Sequence, residues 1–126
     1  MTASVVHASG KPEAAAVLGK AVARAAERLG ITRSQLAQIL GLSPPTITRL
    51  CNGDYRLDER RKEWEFALLF LRAFRSLDSI VGDETTARRW LNSENRGLNA
   101  RPLELMRQTE GLVRVVHYLD ASRSLV

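Results

Sequence analysis

Ser43, Thr46, Thr48, Arg49 and Asn52 crowd one short stretch that holds no carboxylate. Hydroxyls, an amide and a guanidinium without an acidic neighbour suit a groove lined with phosphates and base edges. Arg49 is fitted to the paired acceptors of a guanine. With Pro44 and Pro45 beside them, and Arg33 upstream, these residues form a candidate DNA-contacting set. A solvated helix with no such task would more often mix Glu with Lys.

Catalytic chemistry is not legible elsewhere. The two histidines are His7, near the start, and His117, which neighbours Tyr118 and Asp120. Adjacent residues of a helix point in different directions and make no acid–base pair. Cys51 is distant from both histidines in sequence, so neither a metal-ligand spacing nor a nucleophile–base pattern appears. The glycines are scattered and make no phosphate-cradling loop. The reading is therefore a binding protein, not an enzyme, with no metal and no cofactor. Cys51 itself reads as a small packing residue.

Two helices must hold the candidate set in place. Leu36, Ala37 and Leu40 share one helical face, and Ile47 and Leu50 share a face of a second helix. Gly41 between them can take the left-handed turn that a bulkier residue resists. Ser43 offers an N-cap oxygen, and Pro44 fits the first helical position, where its missing N–H costs nothing. A plain helical hairpin shares this spacing. The outward face of the second helix is what favours a helix-turn-helix.

The charge falls where such a module needs it. Residues 1–62 hold ten Lys or Arg against five Asp or Glu, whereas residues 63–126 hold nine of each. The whole formal charge of +5 thus belongs to the half with the candidate set. A neutral second half needs another partner. The 126 residues suffice for one compact domain or two small ones. Val5, Val6 and Ala8 are too few apolar residues for a signal peptide, and Phe66 to Leu71 is too short to span a bilayer. One cysteine fits a reducing cytoplasm, where the chain is expected, with no membrane partner.

The remaining pattern is helical throughout, with no sustained alternation and no repeat, so the fold class expected is all-α. Residues 1–12 are polar and aperiodic and read as a flexible leader. Leu18, Val22, Ala25 and Leu29 mark an amphipathic helix from Glu13 that ends at Gly30, and Thr32 can cap the next. Lys20, Arg24 and Arg28 recur on its outer face and read as a solvated face ahead of a direct phosphate contact. Asn52-Gly53-Asp54 is a turn, and Arg60, Arg61 and Lys62 form a basic connector or a phosphate contact. The Glu63–Val81 helix is apolar almost all round and must be covered on several sides. A small chain can hardly cover it alone, which points to a homodimer through Trp64, Phe66, Leu69, Phe70 and Phe74. Gly82 stops that helix and Asp83 caps the next, with Ala87, Trp90 and Leu91. A loop from Asn92 to Ala100 leads to a short helix opened by Pro102. Thr109 caps the last helix, with Leu112, Val113, Val116 and Leu119 on its stripe and Gly111 leaving room for a neighbour.

Arg33 to Asn52 resembles the Xre/Cro-type helix-turn-helix, whose second helix lies in the major groove. Further on, Arg89-Trp90-Leu91-Asn92 leads to Asn99, the segment Arg101 to Met106, Thr109-Glu110-Gly111 and Tyr118-Leu119-Asp120. This succession resembles the toxin-binding domain of Xre/MbcA/ParS antitoxins, and the two resemblances together cover residues 13–126. The resemblance implies a bacterial type II antitoxin whose partner is a RES-domain toxin, an enzyme that depletes NAD. It implies repression of the shared promoter through operator DNA. It also implies a C-terminal end placed at the toxin's active-site cleft. Carried onto this chain, that end is Ala121, Ser122, Arg123, Ser124, Leu125 and Val126, with Trp90 and Asn99 added from the motif. A short tail tethered to the last helix is held at high effective concentration, and its carboxylate can pair with cations that would otherwise hold NAD phosphates.

The organisation expected is thus a leader (1–12), a helix-turn-helix domain (13–62), a helical toxin-binding and dimerisation domain (63–121) and a tail (122–126). Two readings stay open beside it: a stand-alone repressor whose second half only dimerises or binds another ligand, and an adaptor whose helix-turn-helix no longer binds DNA.

Overall fold

The computed structural model describes the backbone of residues 2–124 and the side chains of residues 13–123. Seven helices lie within these residues: α1 (Thr2–Arg28), α2 (Arg33–Leu40), α3 (Pro44–Cys51), α4 (Lys62–Val81), α5 (Glu84–Asn92), α6 (Pro102–Met106) and α7 (Thr109–Ser124). The single β-bridge among them joins Asn95 to Ala100. The chain is all-α, as the periodicity predicts. Among the described residues no helix is long and apolar enough to cross a membrane.

Local chemistry fixes most helix ends. Thr32 accepts the Gln35 N–H while the Gln35 side chain accepts the Thr32 N–H, a reciprocal cap that starts α2. Gly41 ends α2 at φ 69 and Gly82 ends α4 at φ 79, both left-handed. Asp83 starts α5 by accepting the Thr86 N–H at 2.8 Å, and that bond holds its carboxyl below the usual range. Two ends differ from the sequence reading. Thr109 is the first residue of α7 rather than its cap, and the Leu112 N–H bonds to the Gln108 carbonyl. The α1 backbone is helical from Thr2, where the sequence predicted an aperiodic leader; Ala3, Ala8 and the run Ala14 to Ala16 have the propensity for it.

α4 is the hub. It packs on α1, α2, α5 and α7 and places Ala67, Phe70, Leu71, Ala73 and Leu77 in one core with Leu18, Val22, Leu36, Leu112 and Val116. The chain therefore covers most of this helix itself. Phe70 is fully buried within the monomer, which corrects its assignment to a dimer surface. Trp64, Phe66, Leu69 and Phe74 are half-buried against the same core. Among the described residues, the large apolar side chains left exposed are Val17 and Leu68, at 67% and 49%.

Polar contacts tie the two halves together. Arg88 of α5 donates from Nε to the Arg28 carbonyl at 2.9 Å and from Nη2 to that of Glu27 at 3.3 Å, satisfying the end of α1. Arg107, just beyond α6, donates to the Gln38 side chain on α2. The N-terminal helices α1 and α2 are thus joined to the C-terminal half through α5 and the residue after α6.

Candidate DNA and partner interfaces

The DNA-facing candidates fall together on α3 and around its start. Ser43, Pro44, Pro45, Thr48, Arg49 and Asn52 are exposed and Thr46 is half-buried, while Ile47 and Leu50 point into the core. Ser43 Oγ caps the helix by accepting the Thr46 N–H at 3.3 Å and lies 2.8 Å from Thr46 Oγ1. These two hydroxyls therefore serve the helix start first. Pro45, Thr48, Arg49 and Asn52 remain as the outward set. Arg33 is exposed at the start of α2.

Arg49 is held by residues that sequence reasoning missed. Its guanidinium lies over the Tyr55 ring, 5.5 Å from the centroid. The Tyr55 hydroxyl donates to Glu63 Oε2 at 2.6 Å, and the Asp58 N–H donates to the same oxygen at 2.9 Å. Arg61 Nε lies 3.6 Å from Glu63 Oε1. Glu63 is a buried carboxylate in the first turn of α4, so it pins the connector after α3 to the central helix. Burial, and then the Glu63 bond, push the Tyr55 hydroxyl up to about 12.

The second candidate surface is built on α7. Gly111 lets α7 approach α6 so closely that a Cβ there would lie 1.9 Å from the Leu105 carbonyl oxygen. Tyr118 packs against Gly97, where a Cβ would meet its ring at 2.5 Å, and stacks on Trp90 with centroids 6.3 Å apart. Arg114 donates to the Leu98 carbonyl at 3.0 Å, and Asn99 takes a left-handed φ of 57 in the same loop. The succession of Trp90, Gly97, Asn99, Pro102 and Gly111 thus folds the 93–101 loop and α6 onto α7. Trp90 is half-buried by that packing and Asn99 is exposed.

The end of α7 is fixed to α4. Ser76, buried in α4, donates to Asp120 Oδ1 at 3.0 Å, and Arg72 Nη2 meets Asp120 Oδ2 at 2.6 Å. Arg123 Nη1 lies 3.5 Å from Ser76 Oγ, and Ser122 donates back to the Tyr118 carbonyl at 2.9 Å. Ala121 to Ser124 therefore continue the helix, where a tail was expected after Ala121. The Ser124 side chain, Leu125 and Val126 lie outside the described residues.

Residues 10–72 match the family model of the antitoxin Xre-like helix-turn-helix domain, and residues 76–124 match that of the antitoxin Xre/MbcA/ParS C-terminal toxin-binding domain. The chain belongs to the Xre/MbcA/ParS antitoxin family. A solved structure titled as the M. tuberculosis MbcT-MbcA toxin-antitoxin complex contains a similar chain, with 28% identity and a TM-score of 0.66 over 87% of this chain and 96% of that one. A comparison with curated proteins found no match. This antitoxin of a toxin–antitoxin system carries its two matched regions on either side of a junction inside α4.

Proposed function

We propose that this antitoxin neutralises a RES-domain, NAD-depleting toxin by direct binding, with the end of α7 and residues 122–126 entering the toxin's active-site cleft. The observation that carries the reading is the span of the toxin-binding match: it runs to residue 124 and takes in the last turn of α7, where Ala121 and Arg123 are exposed. The Ser76–Asp120–Arg72 contacts hold that turn to α4, so less order has to be imposed on binding. Trp90, and Asn99 in the exposed loop, are further contacts.

The toxin complex also represses its own promoter. α3 enters the major groove with Arg49 as the base-reading side chain, and a homodimer sets two recognition helices about 34 Å apart on a palindromic operator. Among the described residues, the exposed pair Val17 and Leu68 offers an apolar surface for that dimer. Deleting residues 122–126 tests the neutralising arm. The truncated chain should still shift operator DNA and fail to rescue cells expressing the adjacent toxin gene. Full rescue by the truncation removes the cleft-blocking role.

A further inference from the structure

Arg49 lies in the last turn of α3, and both its main chain and its side chain meet the turn that follows. The Asp54 N–H donates to the Arg49 carbonyl at 2.7 Å, and Gly53 turns the chain at a φ of 84. That turn brings Tyr55 back against α3. Its ring packs on the core and meets the Arg49 guanidinium 5.5 Å from the centroid.

The ring is anchored at its far end. Its hydroxyl donates to Glu63 Oε2 at 2.6 Å, and Glu63 is buried in the first turn of α4. Donation to a carboxylate also leaves the ring richer in electrons, which strengthens its attraction for a cation. Arg49 is exposed and enters no ion pair among the described residues. Attraction to a ring face needs no acceptor atom, so the paired donors that suit a guanine stay available. An exposed arginine otherwise samples many rotamers, and fixing one on binding costs entropy. A contact that preselects one rotamer lowers that cost for the base the rotamer fits, and not for the others.

We propose that Tyr55 is a positioning residue for base reading: its ring, anchored by Glu63, preselects the Arg49 rotamer that addresses one base pair. Tyr55 thereby sets discrimination at that position without touching DNA. The inference rests on the operator-binding reading above and assigns part of the sequence preference of α3 to a residue outside that helix.

The test is a double-mutant cycle of Arg49→Ala and Tyr55→Leu in the full chain, read as binding to the promoter duplex, to a scrambled duplex and to duplexes varied one base pair at a time. Arg49→Ala marks the base pair concerned. Tyr55→Leu should lower discrimination there by about two- to fivefold, the size of an exposed cation–π contact, and leave binding to the scrambled duplex in place. In the Arg49→Ala background the same substitution should change nothing further. Tyr55→Phe keeps the ring and should keep most of the discrimination. Full discrimination in Tyr55→Leu overturns the proposal, and so does a further loss in the Arg49→Ala background, since Tyr55 then acts through the fold alone. A loss on Arg49→Ala that is equal on every duplex overturns it too, while operator binding stands. A wild type that binds the promoter and scrambled duplexes alike removes the operator reading itself. Should circular dichroism show Tyr55→Leu unfolded, the adaptable Tyr55→Met takes its place in the cycle with the same outcomes.

Discussion

The Tyr55 hydroxyl donates to the Glu63 carboxylate at 2.6 Å, and this bond couples the residue beneath Arg49 to the central helix. Glu63 Oε2 also accepts the Asp58 N–H, so one buried oxygen holds the connector at two points. Glu63→Ala leaves both donors without that acceptor. Unfolding should become easier by about 1–3 kcal/mol, read by denaturant titration. Operator affinity should fall with it, because Arg49 loses its fixed platform. An unchanged midpoint would mean that water replaces the carboxylate at no cost.

The same bond gives a pH signature. Tyr55 titrates near 10 when unfolded and is pushed up to about 12 in the fold, by burial first and by Glu63 second. The folded state thus favours the protonated phenol. Its contribution to stability is fully present below pH 10 and is lost as the pH rises through 12. Tyr55→Phe has no proton to lose, so it should lose less stability than the wild type over that window. Parallel denaturation curves for the two proteins across the window would sink this account.

Arg49→Ala should cost roughly 1–3 kcal/mol of operator binding and relax preference at one base position. The readout is a shift assay on duplexes varied one base pair at a time. Equal weakening on every duplex would make Arg49 a phosphate contact instead.

How much of this was legible in the sequence follows the range of each interaction. Thr32, Gly41, Ser43, Gly82 and Asp83 act on residues within a turn, so their types and spacing sufficed to place the helix ends. Tyr55 and Glu63 lie eight residues apart across an irregular connector, where no periodicity applies. Ser76 and Asp120 are 44 apart and meet only because α7 packs on α4. The same packing explains Phe70. An apolar helix needs cover, but only the tertiary fold tells whether the cover is a second chain or α1 and α7 of the first. On the partner side, the motif from Trp90 to Gly111 marked the right region. Within it, Gly111 makes room for a neighbouring helix, as its place in the first turn of α7 predicts.

Gly111→Ala tests that packing. The new Cβ would lie 1.9 Å from the Leu105 carbonyl oxygen and 2.6 Å from its carbon, both backbone, so α6 has to move. The loss should be about 1–3 kcal/mol or more, seen as a lower melting temperature and weaker toxin capture. Gly97→Ala meets the Tyr118 ring at 2.5 Å instead, a side chain that can swing aside, so its cost should be smaller. The reverse order would mean that the 93–101 loop, and not the α6–α7 contact, is the rigid part.

Dimer formation separates the two kinds of apolar residue on α4. Leu68 is half-exposed beside Val17 of α1, across a shallow groove whose rim carries Glu13, Arg72 and Arg75. Leu68→Glu places a carboxylate where water already reaches, so the monomer should keep its melting temperature while a second copy is repelled. Phe70 has no exposure, and Phe70→Ala should cost about 3–5 kcal/mol of folding stability through the cavity it leaves. Sedimentation at micromolar concentration should therefore show a dimer for the wild type and a folded monomer for Leu68→Glu. A Leu68→Glu protein that still sediments as a dimer would move the contact off the Val17–Leu68 face. A wild type that sediments as a monomer would remove the homodimer itself.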